Sequence, residues 1–123
     1  MRKMWTVILL APLLLVSTVA ARPVYAPESL ARYFRLDWQV VPSSGGPTLE
    51  GYVYNQTDML ATQMQLNIEE LDSAGNVTGK TGTWVIGEVP PGSRSFFSTR
   101  VHQAASYRVA VLTFNWLDKN VGN

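Results

Sequence analysis

The chain has 123 residues, 46% of them hydrophobic and 15% charged, with a mean hydropathy near zero. That is enough for one domain, and it excludes both a multi-span membrane protein and a highly charged disordered chain. Ten Lys and Arg against nine Asp and Glu give a net charge of +1, and without Arg2 and Lys3 the balance is eight against nine, or −1. Such a chain has no basic field to hold a nucleic-acid backbone, and the absence of cysteine excludes disulfides, thiolate nucleophiles and Cys-ligated metals.

Arg2 and Lys3 precede an uncharged stretch over residues 4–21 that ends in small residues. This is the layout of a secretory signal peptide, with either Val19 and Ala21 at the −3 and −1 positions for cleavage before Arg22, or Thr18 and Ala20 for a cut one residue earlier. The competing reading is an uncleaved anchor, since 18 uncharged residues reach the short end of the roughly 17–25 that span a bilayer. Pro12 interrupts the run, and residues 17–21 are mostly small or polar, which favours cleavage. The expected organisation is a signal peptide at 1–21, a lead-in at 22–33, one all-β domain at 34–118 and a tail at 119–123.

In the lead-in, Pro23 and Pro27 disfavour regular structure, although Pro27 and Glu28 can open a short helical turn through Tyr33. Residues 35–41 then alternate, with Leu36, Trp38 and Val40 on one face and Arg35, Asp37 and Gln39 on the other, as a strand does. After the turn cluster at 42–47, a second strand over 48–55 places Leu49, Gly51 and Val53 opposite Glu50, Tyr52 and Tyr54. Residues 62–71 set Met64, Leu66 and Ile68 against Gln63, Gln65, Asn67 and Glu69. Helix is the rival there, and the period of two favours strand.

A turn at 72–76 leads to a short strand at 77–80 and a further β-rich stretch at 81–89, interrupted by glycines that suggest bends or a bulge. Pro90-Pro91-Gly92-Ser93 is the sharpest turn, and Gly92 is expected there with positive φ, fixing register between 84–89 and 95–101. The closing strand at 107–117 is apolar on both sides: Val109 and Val111 with Thr113 and Asn115, against Leu112, Phe114 and Trp116. Six or seven strands with turns at short spacing predict a β-sandwich or small barrel. The expected inner set is Leu36, Trp38, Val40, Leu49, Val53, Met64, Leu66, Ile68, Val77, Val85, Phe96, Val109 and Val111.

Gly51, Val53 and Asn55, then Asp72 and Gly75, then Pro91, Gly92 and Phe96, then Tyr107, Val109 and Val111 follow one another in a distinctive order. This order resembles bacterial secreted immunoglobulin-like modules, among them the FxLYD-type domains, over residues 34–117. Where that signature would stand, the chain has Ile68-Glu69-Glu70-Leu71-Asp72. The resemblance implies an immunoglobulin-like β-sandwich in an exported setting, with no characteristic catalytic residues and no cofactor.

Catalytic chemistry finds little footing. His102 is the sole histidine and reads as an edge or loop residue; a triad with Asp72 or Asp118 is arithmetically open, but no nucleophile motif accompanies it. Glu69 and Glu70 point to opposite faces of a strand, which leaves Glu50 with Glu69 as the carboxylates open to meeting across strands, where a surface polar pair is the expected reading. Asp72, Asn76 and Asp58 supply too few oxygens for calcium, which takes about six to eight, and no phosphate-binding glycine motif is present.

The remaining feature is aromatic. Tyr52, Tyr54, Phe114 and Trp116 fall opposite the expected inward residues, so either they form an exposed strip or the lead-in or the opposing sheet buries them. Exposed, they make a binding surface. The expectation is a non-catalytic immunoglobulin-like module, periplasmic or extracellular, free of the membrane after signal cleavage and contacting an envelope or extracellular protein. The alternative is a carbohydrate-binding β-sandwich that takes a glycan on the same rings. The sequons at Asn55 and Asn76 read as chance matches.

Overall fold

The computed structural model describes residues 25–117, so the expected signal peptide and the tail at 119–123 lie outside the described residues. It opens with a short helix, α1 (Pro27–Tyr33), started by a proline whose missing N–H costs nothing in the first turn. Glu28 in the first turn and Arg32 in the last complement the helix dipole. Six strands follow: β1 (Phe34–Val41), β2 (Thr48–Asn55), β3 (Leu60–Leu71), β4 (Val77–Trp84), β5 (Arg94–Arg100) and β6 (Ser106–Leu117). The rival helix over 62–71 does not form, because every second residue there faces a sheet-on-sheet core.

The strands make two antiparallel three-stranded sheets, ordered β1-β2-β5 and β4-β3-β6, packed as a β-sandwich. Leu49, Val53 and Phe97 from the first sheet meet Met64, Leu66 and Ile68 from the second, all fully buried. Only β1–β2 and β3–β4 are hairpins; every other connection crosses between sheets. The turn at Gly92, whose φ is +65°, therefore joins two sheets, and the expected register between 84–89 and 95–101 is reduced to a backbone bond from the Ile86 amide to the Phe96 carbonyl (3.0 Å) beside the crossover.

Asn55 anchors two of these crossings. It is buried, its amide donates to the carbonyls of Met59 (2.7 Å) and Val89 (2.9 Å), and its Oδ1 accepts from the Thr57 amide (2.9 Å) and hydroxyl (2.7 Å). With both ends engaged in the interior, Asn55 is a structural residue, as the chance-match reading of its sequon requires.

A paired irregularity sets the phase of β3 and β6. Between Thr62↔Asn115 and Gln65↔Thr113, β3 advances one residue more than β6, and between Gln65↔Thr113 and Leu66↔Val111, β6 gains the extra residue back. Gln63 takes up the excess in β3 with a left-handed φ of 51°. Inward residues consequently switch parity, from Ala61 to Met64 in β3 and from Val111 to Phe114 in β6. Of the two apolar sides read in the last strand, Val109, Val111, Phe114 and Trp116 make one inward side that changes phase midway, and Leu112 stays exposed.

Other expected core positions also move. Phe97, opposite Gly51, is buried, whereas Phe96 lies opposite the outward Tyr52 and is only half-buried. Val77 is exposed at the start of β4, and Val40 is 37% exposed on the flank of the sandwich. Leu36, Trp38 and Val109 point inward yet stay half-buried.

Candidate functional site

The four aromatic residues expected to share a strip are divided by the fold. Phe114 is buried and Trp116 half-buried, in a cluster of five rings under the helix. Tyr25 stacks on Phe114 at 5.2 Å, Phe34 meets Phe114 edge-on at 4.9 Å, and Tyr33 meets Trp116 at 5.5 Å. This is the burial by the lead-in weighed above for these two residues. The phase switch in β6 turns them inward, and α1 closes that end of the sandwich.

Tyr52 and Tyr54 lie on the outer face of the β1-β2-β5 sheet, on the same side of β2 as Glu50. Register brings Arg35 and Asp37 of β1 beside Tyr54 and Tyr52, and Arg94 and Phe96 of β5 beside them from the other edge. The ring centroids of Tyr52 and Phe96 are 5.5 Å apart, and those of Tyr52 and Tyr54 6.4 Å. A guanidinium lies over each tyrosine: Arg35 at 3.9 Å from the Tyr54 centroid and Arg94 at 4.0 Å from that of Tyr52. Arg94 also donates to the Tyr54 hydroxyl at 3.1 Å, and this hydrogen bond above all raises its pKa beyond the ordinary arginine value. A depression of about 410 Å³ beside these rings is lined by Asp37, Glu50, Gly51, Tyr52 and Phe96.

The face is thus a set of rings and long cationic side chains held in place by one another, with Asp37 and Glu50 beside them. Stacking reduces the rotamer freedom that each arginine would lose on contact with a partner. Sequence reasoning found the two tyrosines and missed Arg35, Arg94 and Phe96. Their signal was the strand register, which places residues about 20 to 40 positions apart next to one another.

The other sheet presents a different surface. Trp84 is 59% exposed and, with Leu117, Gln63 and Glu88, lines a depression of about 540 Å³. Asn115 donates to Gln63 there at 2.6 Å.

The residues weighed for catalysis have structural places. His102 is exposed in the β5–β6 connection, and its backbone amide (2.9 Å) and Nδ1 (3.2 Å) contact the buried Glu70 carboxylate. Tyr107 donates to the His102 carbonyl at 2.6 Å, so these three residues strap the crossover to the sandwich. Glu69 faces outward and pairs with Arg108 at 2.7 Å. Glu50 and Glu69 stand in different sheets, so the two carboxylates cannot meet across neighbouring strands.

Asp72 accepts from the amides of Asn76 (2.8 Å) and Ala74 (3.0 Å) of its own turn, and those bonds, that to Asn76 first, lower its pKa. Among the described residues, no group of three or more His, Cys, Asp or Glu side chains is placed to hold a metal, and no helix is long and apolar enough to cross a membrane. No family model, curated protein or solved structure matches the chain.

Proposed function

We propose that this chain is an exported, non-catalytic immunoglobulin-like module, akin to the FxLYD-type domains, that contacts an envelope or extracellular protein through the Tyr52–Tyr54–Phe96 face. Two features support the immunoglobulin-like part. The pairings β2–β5 and β3–β6, with crossings between the sheets, correspond to the B–E and C–F neighbours of that fold. The Tyr107 hydroxyl bonded five residues back, at the start of β6, corresponds to its tyrosine corner.

The observation that carries the protein-binding part is the pair of guanidinium groups over the tyrosine rings. Tyrosine and arginine are the residue types that dominate protein interfaces. A sugar, by contrast, stacks on an open ring, and both tyrosines here carry a cation over the ring. The glycan alternative would turn instead to the exposed ring of Trp84 on the other sheet.

Affinity capture from envelope extract with residues 22–123, against an Arg35→Ala/Arg94→Ala variant of unchanged circular dichroism, tests the reading. A saturable protein partner bound at least about tenfold more weakly by the variant supports it. Equal capture by both removes the face from the contact, and retention on a glycan array that is lost in Trp84→Ala would select the alternative. Intact mass of the extracytoplasmic protein tests export, since retention of residues 1–21 contradicts cleavage.

A further inference from the structure

One flank of the sandwich is open. Sheet order makes β1 and β6 the edges on that side, facing one another across the core. A groove of about 370 Å³ lies between them, lined by Leu30 of α1, Phe34 and Leu36 of β1, and Val109 and Val111 of β6. A second depression, of about 460 Å³, continues along the flank past Trp38, Val40 and Tyr107. Leu36, Trp38, Tyr107 and Val109 pack against the core yet are only partly covered, and Val40 is 37% exposed. The inward faces of both edge strands therefore reach solvent along one line.

Beside that line runs a bare strand edge. β6 pairs with β3, and its other side has no partner strand among the described residues. An antiparallel strand bonded on one side leaves alternate N–H and C=O groups pointing outward. Folded proteins blunt such edges with Lys, Pro or bulges. Residues 106–111 contain neither Lys nor Pro, and the register irregularity begins only beyond Val111. Arg108, the one charge there, is engaged by Glu69 on the outer face. The edge strand β4, by comparison, carries Lys80 and two glycines.

We propose that this flank accepts an extended strand from a partner protein, hydrogen-bonded to the β6 edge and inserting alternate apolar side chains into the groove. The coincidence of edge and groove selects the occupant. A helix bonds its own amides and would leave the edge bare. A second folded copy joined edge to edge through β6 would pair the amides, but its Tyr107, Val109 and Val111 already face its own core, and both grooves would stay empty. An extended segment with free side chains fills both, with anchors at every second residue opposite Tyr107, Val109 and Val111. This inference is independent of the tyrosine face and uses none of its residues.

A tethered strand tests it. Residues 22–123 are extended by a flexible Gly/Ser linker and the segment Thr-Val-Thr-Val-Thr-Val-Lys, and compared with the same tether carrying Asp at the three Val positions. The Val tether should slow exchange of those amides in 106–111 that are not bonded to β3 by at least about tenfold, and raise the thermal midpoint by about 5 °C or more. The Asp tether should do neither. Ala31→Arg, at an exposed lip of the groove, should reverse the gain, while Arg35→Ala/Arg94→Ala should retain it, so failure here is distinguishable from failure at the tyrosine face. Equal behaviour of the Val and Asp tethers overturns the proposal. So does protection of the same amides in the untethered chain, whether as a dimer, where a second copy holds the edge, or as a monomer, where residues outside 25–117 hold it.

Discussion

Gly51 and Gly82 both sit inside strands, and replacing each by alanine should move stability in opposite directions. Glycine in a strand interior ordinarily costs about 0.5–1 kcal/mol relative to alanine, because it loses more backbone freedom on folding. At Gly82, a Cβ would meet only Gln65 Nε2 at 3.7 Å and the Leu66 carbonyl at 3.8 Å, which are ordinary contacts. Gly82→Ala should therefore stabilise by about 0.5 kcal/mol.

At Gly51, the Cβ would strike the Asp37 carbonyl oxygen and lie 2.6 Å from Trp38 Cα and 2.7 Å from Trp38 Cβ. Those atoms belong to the neighbouring strand's backbone or are fixed to it, so no rotamer change relieves the clash. Trp38 and Phe97 flank Gly51 in register on either side, which is why the strands close over a residue with no side chain. Overpacking costs about 1–3 kcal/mol, and rigid neighbours put this site toward the upper end. Set against the propensity gain, the net loss should be about 2 kcal/mol. For a domain of this size that lowers the thermal midpoint by roughly 8–15 °C, against a rise of a few degrees for Gly82→Ala. Urea titration followed by tryptophan fluorescence, with thermal melts by circular dichroism, reads both. A Gly51→Ala chain as stable as the parent would refute the close approach of β1 to β2.

Three further outcomes follow from the same geometry. Asn55→Ala takes the acceptor from the Thr57 amide and one of two donors from each of the Val89 and Met59 carbonyls, which keep the Ala61 amide and the Thr57 hydroxyl, and should cost about 1–3 kcal/mol in urea titration; an unchanged midpoint would remove Asn55 as the anchor of the crossings. Gly92→Val places a β-branched residue at φ +65° and should destabilise by about 1–3 kcal/mol, again read by the denaturation midpoint. The Asp72 carboxylate, with its pKa lowered by the turn amides, supports the 72–76 turn above its ordinary value of 3.8 and loses that support as pH falls through the depressed folded value. The amide resonances of Ala74 and Asn76 should report this as a titration with a midpoint below 3.8, absent in Asp72→Ala.

Local pattern carried most of the strand map. Alternation marked β1, β2 and β3, and the Pro27-Glu28 start marked α1, because period and capping chemistry are properties of neighbouring residues. The inward sides of β2 and β3 were legible for the same reason: Leu49, Gly51 and Val53, and Met64, Leu66 and Ile68, recur at a spacing of two and all are buried.

Whatever depended on a second strand was decided only in three dimensions. Phe96 and Phe97 are adjacent and equally apolar, so nothing local says which faces the core; pairing with Gly51 does. In the last strand, an unbroken count of two puts Phe114 outside, whereas the residue gained in β3 at Gln63 and returned in β6 turns it in. In the sequence this phase shift shows only as apolar residues on both sides of the strand, a pattern that a strand covered on both faces would also give. Division of the four aromatic residues follows from that one shift, with Phe114 and Trp116 under the helix and Tyr52 and Tyr54 beneath two arginines brought from β1 and β5. Side-chain chemistry along the chain determined which residues could serve a surface, and only the register between distant strands decided which of them share one.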